Sequence, residues 1–445
     1  MHKNLLTDEY YIAPHKGIYE RVLRNGPERS AVPGLRDHGK SVFFHDYAYV
    51  DGSILKSSLS EKESLPSNEK RAPLSAMPEQ HHFSDDRPWE WREYQAGFRT
   101  GIRETKAENS LPCHTNLKEE LPSALRAYDA AVSYMRRATA LARQGTLHFD
   151  SAEQVVRGII ESLRRNPDAL VCLPKVVRRD KYFYTHNVNV CILLTAFYIS
   201  TGESDSDVMA ASLAGLFHDI GMTFLPKSLL ESRSTLTETE RSLVMRHPAF
   251  GRSLLVDSLG NLQPQALLAA LEHHERYDGS GYPKGIGRNT ISRIGHLTAL
   301  ADSYDAMTSI KPYRKAITPH RALCSMFKLS ESQFHPVFLA LFVRMLGIYP
   351  VGSIVELQDG YCGVITQCNP LNALLPVVTL VRDAEGLDMP YVECDLAKDQ
   401  GARIVRSMSP EESGIDPHRV LSRFAFPYFR NRRGGSIREL WNGAG

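Results

Sequence analysis

The sequence predicts a mainly α-helical protein: a helical bundle, a small C-terminal antiparallel β region and an N-terminal segment of no clear class. Three observations carry this. Apolar residues recur at helical spacing from about residue 122 to about residue 347. After Pro350 the apolar period falls to two. In between, five histidines and two aspartates (His186, His218-Asp219, His247, His273-His274 and Asp302) are separated by gaps of 32, 29, 26 and 28 residues. Each gap is the length of one helix-loop-helix step, so a bundle can bring all seven side chains to one point.

Composition narrows the class. The 445 residues suggest roughly two to four domains. At 42% hydrophobic and 23% charged, the chain is ordinary for a globular protein. A net charge of +2 gives no global attraction for nucleic acid or a membrane surface. The seven cysteines (113, 172, 191, 324, 362, 368, 394) contain no CxxC pair, which argues against a disulfide framework or a thiolate zinc site. The opening MHKNLLTDEYYIAPHKG has no apolar h-region. These features point to the cytoplasm. The longest apolar stretch, Val188 to Ile199, is interrupted by Asn189 and too short to span a bilayer, so it reads as a buried helix.

In chain order, residues 1–54 read as a small N-terminal region with strand-like stretches such as Ser41-Val42-Phe43-Phe44. Residues 55–121 read as a linker, rich in Ser, Pro, Glu and Lys, with Trp89 and Trp91 as a packing patch. A connecting helix occupies 122–149. Its core, from Pro122 to Gln144, carries Leu125, Tyr128, Val132, Met135, Thr139 and Ala142 as a seam. That seam fits either an amphipathic helix on its own bundle or a signalling or dimer helix.

The region 150–349 is expected to be all helical, with helices over Glu153–Arg165, Thr185–Ser200, Asp205–Asp219 and Arg293–Thr308. Gly221 looks like the residue that follows a helix C-terminus. Thr318-Pro319 opens a further helix. Residues 350–408 form the β region, with strands over Ser353–Leu357, Cys362–Gln367, Pro376–Val381 and Tyr391–Asp395. The extension 409–445 ends in a basic tail holding Arg430, Arg432, Arg433 and Arg438.

The chemistry lies in the histidine-aspartate set. Neutral imidazoles and carboxylates suit first-row divalent ions. Seven ligands are too many for one such ion and about right for two, and a carboxylate such as Asp219 can bridge the pair. Two metals sharing a carboxylate suit in-line attack on a phosphodiester. A lone His-Asp pair is a weak signal. His273-His274 followed by Glu-Arg-Tyr-Asp-Gly-Ser-Gly281-Tyr282-Pro283 is a strong one.

Together with His218-Asp219-Ile-Gly221, His247-Pro248, Ala301-Asp302-Ser-Tyr-Asp305-Ala-Met-Thr308 and Lys311-Pro-Tyr-Arg314, that motif closely resembles the HD-GYP family of bacterial metal-dependent phosphohydrolases. The resemblance covers about residues 170–347. It implies an HD-type helical bundle and hydrolysis of cyclic di-GMP to linear pGpG, in some members on to GMP. It further implies one metal held by His186, His218 and Asp302, and a second held by His247, His273 and His274, with Asp219 bridging. Asp305 then orients the attacking water or the leaving group; its alternative is a buried hydrogen-bonding residue at a helix end. Lys311 and Arg314 bind substrate phosphate, and Gly281, Tyr282 and Pro283 shape the rim.

Two departures matter. Met222 stands where the family carries a phosphate-reaching lysine, so slowed turnover is expected. Tyr182 stands where members with a third metal carry glutamate, so two metals are expected, iron or manganese ahead of zinc. The leading expectation is a two-metal cyclic di-GMP phosphodiesterase with reduced or specialised activity. The alternatives are a cyclic di-GMP receptor or protein-interaction module and a phosphohydrolase for another nucleotide. A homodimer or signalling-protein partners fit this family; nucleic-acid and membrane partners do not.

Overall fold

Helix α1 (Leu117–Ala142) begins ahead of Pro122 because Asn116 caps it. The Asn116 side-chain oxygen accepts from Glu119 N at 2.9 Å, and Glu119 and Glu120 favour the first turn. Residues 117–121 therefore belong to the helix and not to the linker expected there. Pro122 sits inside the helix, where proline has no backbone N–H to donate.

The structure is a computed structural model that describes residues 115–147, 150–176, 182–230, 236–258, 264–309, 316–369, 372–399 and 401–423. All of them lie in one compact unit. The N-terminal region 1–54, the linker up to residue 114 with Trp89 and Trp91, the basic positions Lys311 and Arg314, and the tail 424–445 lie outside the described residues.

Of the α1 seam, Leu125, Tyr128, Met135, Thr139 and Ala142 are buried and Val132 is half-buried. They pack on the bundle formed by α2 (Asp150–Arg165), α3 (Pro167–Val176) and α4 (Tyr182–Ser200). The seam is spent within the chain itself. Helix α4 is apolar on all sides and accordingly buried over most of its length, as the stretch 188–199 leads one to expect. No described helix is long and apolar enough to cross a membrane.

Helix α5 (Asp205–Phe217) starts on the Ser204 cap and packs along α4. It stops at Phe217, short of the expected Asp219, and a 3-10 turn (Ile220–Phe224) follows. The chain continues through α6 (Lys227–Leu230), α7 (Glu238–Val244, with a Thr237–Glu240 capping box), α8 (His247–Ser258) and α9 (Pro264–Glu272). After a loop come α10 (Arg293–Thr308), α11 (Pro319–Lys328) and α12 (Pro336–Leu346). Helix α10 is buried at every position from Ile294 to Thr308, including Asp302 and Asp305. A helix carrying two buried acids needs partners for both, and α4, α5 and α9 surround it.

The β region is an open five-stranded antiparallel sheet in the order β4-β3-β2-β1-β5. Its strands are β1 (Ile354–Leu357), β2 (Cys362–Gln367), β3 (Val377–Arg382), β4 (Asp388–Asp395) and β5 (Ile404–Met408). The last strand was not among those expected. Alternation places Val355, Leu357, Ile365 and Val378 on one face, where they join Tyr349 and Leu396 in a core. Asp168 at the start of α3 ties this sheet to the bundle by accepting from Cys368 N at 2.9 Å.

Candidate metal centre

All seven expected ligands converge, in two groups. Asp219, His247, His273 and His274 form one; His186, His218 and Asp302 form the other. Within each group the candidate ligand atoms lie within 4.8 Å of one another. The groups adjoin, since the His218 and His273 rings are 5.0 Å apart. Six of the seven side chains are buried and His274 is half-buried.

Helix ends build this geometry. A helix leaves its last carbonyls without backbone partners. His218 caps α5 and places Nδ1 2.8 Å from Gly215 O. His247 follows α7, with Nδ1 2.7 Å from Val244 O. His273 follows α9, with Nδ1 2.8 Å from Ala269 O. A carbonyl can only accept, so each Nδ1 carries the proton and donates it. In the neutral ring the Nε2 lone pair then faces the cluster. His186 is fixed differently: its Nδ1 donates to the Asp305 carboxylate at 2.8 Å.

The donor set fits cations. His218 Nε2 is fully buried and makes no hydrogen bond. His247 Nε2 lies 3.2 Å from His273 Nε2 and 3.1 Å from His274 Nε2, so lone pairs crowd one spot. Asp219 Oδ1 faces the same spot, 3.1 Å from His247 Nε2 and 3.4 Å from His273 Nε2. Asp302 Oδ1 lies 2.9 Å from His186 Nε2 and 4.0 Å from His218 Nε2. Such crowding calls for a proton or a metal ion at each spot, and this thiolate-free set suits first-row divalent ions.

The electrostatics agree. Burial lowers His218 to about 4, helped by the neighbouring His273 and His186, so it is neutral at physiological pH. Burial and the adjoining His273 and His247 also hold His274 well below the ordinary imidazole range. Burial works against the charged form of Asp219, but His247 and His273 outweigh it and hold the carboxyl well below its ordinary range. Asp302 is lowered in the same way, mainly by His186. Burial also opposes a charged His186, yet its hydrogen bonds to Asp302 and Asp305 raise it to about 10.

Asp305 and Gly221 each have defined surroundings. Asp305 is buried. Oδ2 accepts from His186, and Oδ1 accepts from Asn189 Nδ2 at 2.9 Å and Ser309 Oγ at 2.8 Å. Both oxygens are engaged, which fits the alternative of a buried hydrogen-bonding residue at a helix end. Gly221 does not terminate a helix in a left-handed conformation. It lies in the 3-10 turn, where a Cβ would come within 2.0 Å of His247 O and 2.4 Å of Gly251 N. Its lack of a side chain lets the turn carrying Asp219 lie against α8. Met222, in the same turn, is fully buried.

The rim holds Gly281, Tyr282 and Pro283, all half-buried. Tyr282 stacks on His274, with centroids 4.7 Å apart and planes at 25°. A Cβ on Gly281 would meet Arg276 N at 2.4 Å and His274 O at 2.5 Å. Two acids in this region escaped the sequence reading. Glu275 accepts from Lys284 N at 2.7 Å and Ile286 N at 3.1 Å, clamping the loop that carries the rim. Glu272 accepts from Ser292 N at 2.8 Å and joins the end of α9 to the start of α10. Their signal was position, one immediately before and one immediately after the His273-His274 pair.

Comparison with known proteins accords with this geometry. The HD domain family model matches residues 176–337. A cyclic di-GMP phosphodiesterase of Pseudomonas aeruginosa is 35% identical over 340 residues, covering 75% of this chain and 76% of its own. The cyclic di-GMP phosphodiesterase PdeB of Borreliella burgdorferi is 28% identical over 208 residues, covering 46% of this chain and 54% of its own. A solved HDGYP protein from Bdellovibrio bacteriovorus is 17% identical, with a TM-score of 0.37, covering 57% of this chain and 79% of that one. The match to the Pseudomonas protein is long and close enough to decide the matter: the chain belongs to the HD-GYP family of HD-domain metal-dependent phosphohydrolases.

Proposed function

We propose that this chain hydrolyses cyclic di-GMP to linear pGpG, and in part on to GMP, in the cytoplasm. The observation that carries the reading is the convergence of seven imidazole and carboxylate ligands into two adjoining groups. The Pseudomonas and Borreliella relatives, both cyclic di-GMP phosphodiesterases, supply the substrate class.

In this reading His186, His218 and Asp302 hold one divalent ion, and His247, His273 and His274 hold another. Asp219 would be shared between the two groups, and iron or manganese would suit this donor set. When bound, such a pair activates water and neutralises charge on the diester. The chain's own residues do the rest. The Nδ1–H bonds to Gly215, Val244 and Ala269 lock three rings so that Nε2 faces inward. Tyr282, stacked on His274, offers an aromatic wall to the substrate, and the Glu275 clamp keeps that wall in place. Lys311 and Arg314 bind the phosphates. Homodimers or signalling partners regulate the enzyme through the parts of the chain beyond the bundle.

Met222 gives the position of the family's phosphate-reaching lysine neither charge nor donor, so turnover is slow. The same residue favours a second reading, in which the site holds cyclic di-GMP as a receptor. Incubation of anaerobically purified, manganese- or iron-loaded protein with cyclic di-GMP separates the two. Release of pGpG supports hydrolysis. Tight binding without product selects the receptor, and neither binding nor product overturns both.

A further inference from the structure

A line of buried hydrogen bonds leaves the back of the metal centre and ends on α1. His186 Nδ1 donates to Asp305 Oδ2, and Asp305 Oδ1 accepts from Asn189 Nδ2. Asn189 Oδ1 in turn accepts from the Tyr128 hydroxyl at 3.0 Å. Tyr128 is 1% exposed and Asn189 3%, so water does not substitute for either. Tyr128 lies outside residues 176–337, the part matched by the HD domain family.

The chain has a direction set by chemistry. An amide group is nearly symmetric in shape but not in hydrogen bonding. Were the Asn189 amide reversed, its oxygen would face the Asp305 carboxylate, acceptor against acceptor. The amide nitrogen must therefore face Asp305, which leaves the amide oxygen pointing at α1 and in need of a donor. Tyr128 supplies it. Without that hydroxyl a buried oxygen loses its partner and the amide loses what holds its orientation. The Asp305 carboxylate then loses a fixed donor, and the His186 ring loses a fixed acceptor.

We infer that Tyr128 and Asn189 are positioning residues for His186, and that α1 thereby sets the cation affinity of the His186–His218–Asp302 group without touching it. This rests on reading that group as a metal site. In the other group the His247 and His273 rings are held by backbone carbonyls and face Asp219. Loss of the hydroxyl should therefore act most on the His186 group and less on the other, which shares Asp219. Outer partners of a ligating histidine typically change metal affinity by about 10- to 100-fold.

The test is manganese titration of the full chain after chelation, by calorimetry, with thermal melting alongside. Wild type should take up two equivalents. Tyr128→Phe should weaken one by about 10-fold or more and change the other several-fold less. Asn189→Ala should do the same, and the double variant should be no worse than Asn189→Ala alone, since both interrupt one chain. Ala131→Gly loosens α1 at a buried position outside the chain; it should lower Tm and leave both affinities in place. Two unchanged affinities in Tyr128→Phe overturn the inference. So do parallel losses at both sites that track Tm, as does an additive double variant. A wild-type chain that binds no manganese overturns the metal reading itself, and the inference with it.

Discussion

Gly221→Ala is a sharp test of how the centre is assembled. The added Cβ would stand 2.0 Å from His247 O, 2.4 Å from Gly251 N and 2.9 Å from Gly251 Cα. Contacts below 3.0 Å are essentially never tolerated, and all three atoms here are backbone, so no side chain can swing aside. The 3-10 turn and α8 must separate by at least about 1 Å. That costs about 1 to 3 kcal/mol as overpacking. It also draws Asp219 away from His247, a ligand candidate on the far side of the same contact. A displacement of about 1 Å in a catalytic arrangement can cost on the order of 100-fold in rate.

The mirror substitution is the control. A Cβ on Gly251 meets Gly221 N at 3.2 Å, Gly221 Cα at 3.5 Å and the Ala270 methyl at 3.7 Å. A few tenths of an ångström relieve it, and alanine gains about 1 kcal/mol over glycine within helix α8. Metal content of the purified proteins, read by mass spectrometry, should fall at least tenfold at the Asp219 group in Gly221→Ala and stay near wild type in Gly251→Ala. Equal metal content and equal Tm in the two variants would refute the close-approach account.

Other perturbations probe other parts. Glu275→Gln replaces a charged acceptor of two loop N–H groups, a loss of about 1.5 to 3 kcal/mol; KM for cyclic di-GMP should rise more than kcat falls, and an unchanged KM removes the clamp from the site. Burial raises the Asp168 carboxyl from the ordinary 3.8 to about 6 against the opposing bond from Cys368. A raised acid stabilises the fold fully below pH 3.8, and that contribution is lost as pH rises through about 6. Asp168→Asn should therefore gain on the order of 3 kcal/mol relative to wild type between pH 4 and pH 7 in urea titrations, and a gap constant with pH refutes the assignment. Met222→Lys should speed hydrolysis about tenfold by restoring a charged bond to phosphate; because Met222 is fully buried, a fall in Tm without faster turnover counts against that account.

How far the sequence reached depended on which atoms carried the information. The candidate ligands were legible because each lies at a helix end or on a buried helix face, spaced by helix-loop-helix steps. The devices that fix three of the rings were not, since they are the main-chain carbonyls of Gly215, Val244 and Ala269, which every residue possesses. The role of Asp305 stayed open between two readings for a related reason. It lies three residues after Asp302 on α10, and both share one face. Spacing alone does not say which acid meets the ion and which meets the back of His186. Strand β5 was missed because Val405 and Arg406 on this sheet edge are both exposed, so no alternation marks it. Asn189, the polar break in an apolar helix, was a visible clue whose partners on α1 and α10 no local pattern discloses.

The sign of the charge at the centre closes the argument. Helices α5, α7 and α9 all end there, and each presents the negative end of its dipole. Asp219 and Asp302 stay ionised although buried, and His218 and His274 are held neutral. His186 and His273 are raised, and their charge offsets that of the two acids, so the side chains alone offer a phosphodiester little net attraction. A pair of divalent cations would supply that attraction, and in the proposed reading, with Met222 where the family carries a lysine, it would rest more heavily on the ions. Substrate affinity should then follow metal occupancy more steeply here than in a relative that keeps the lysine. Affinity for cyclic di-GMP that persists after full chelation would contradict this.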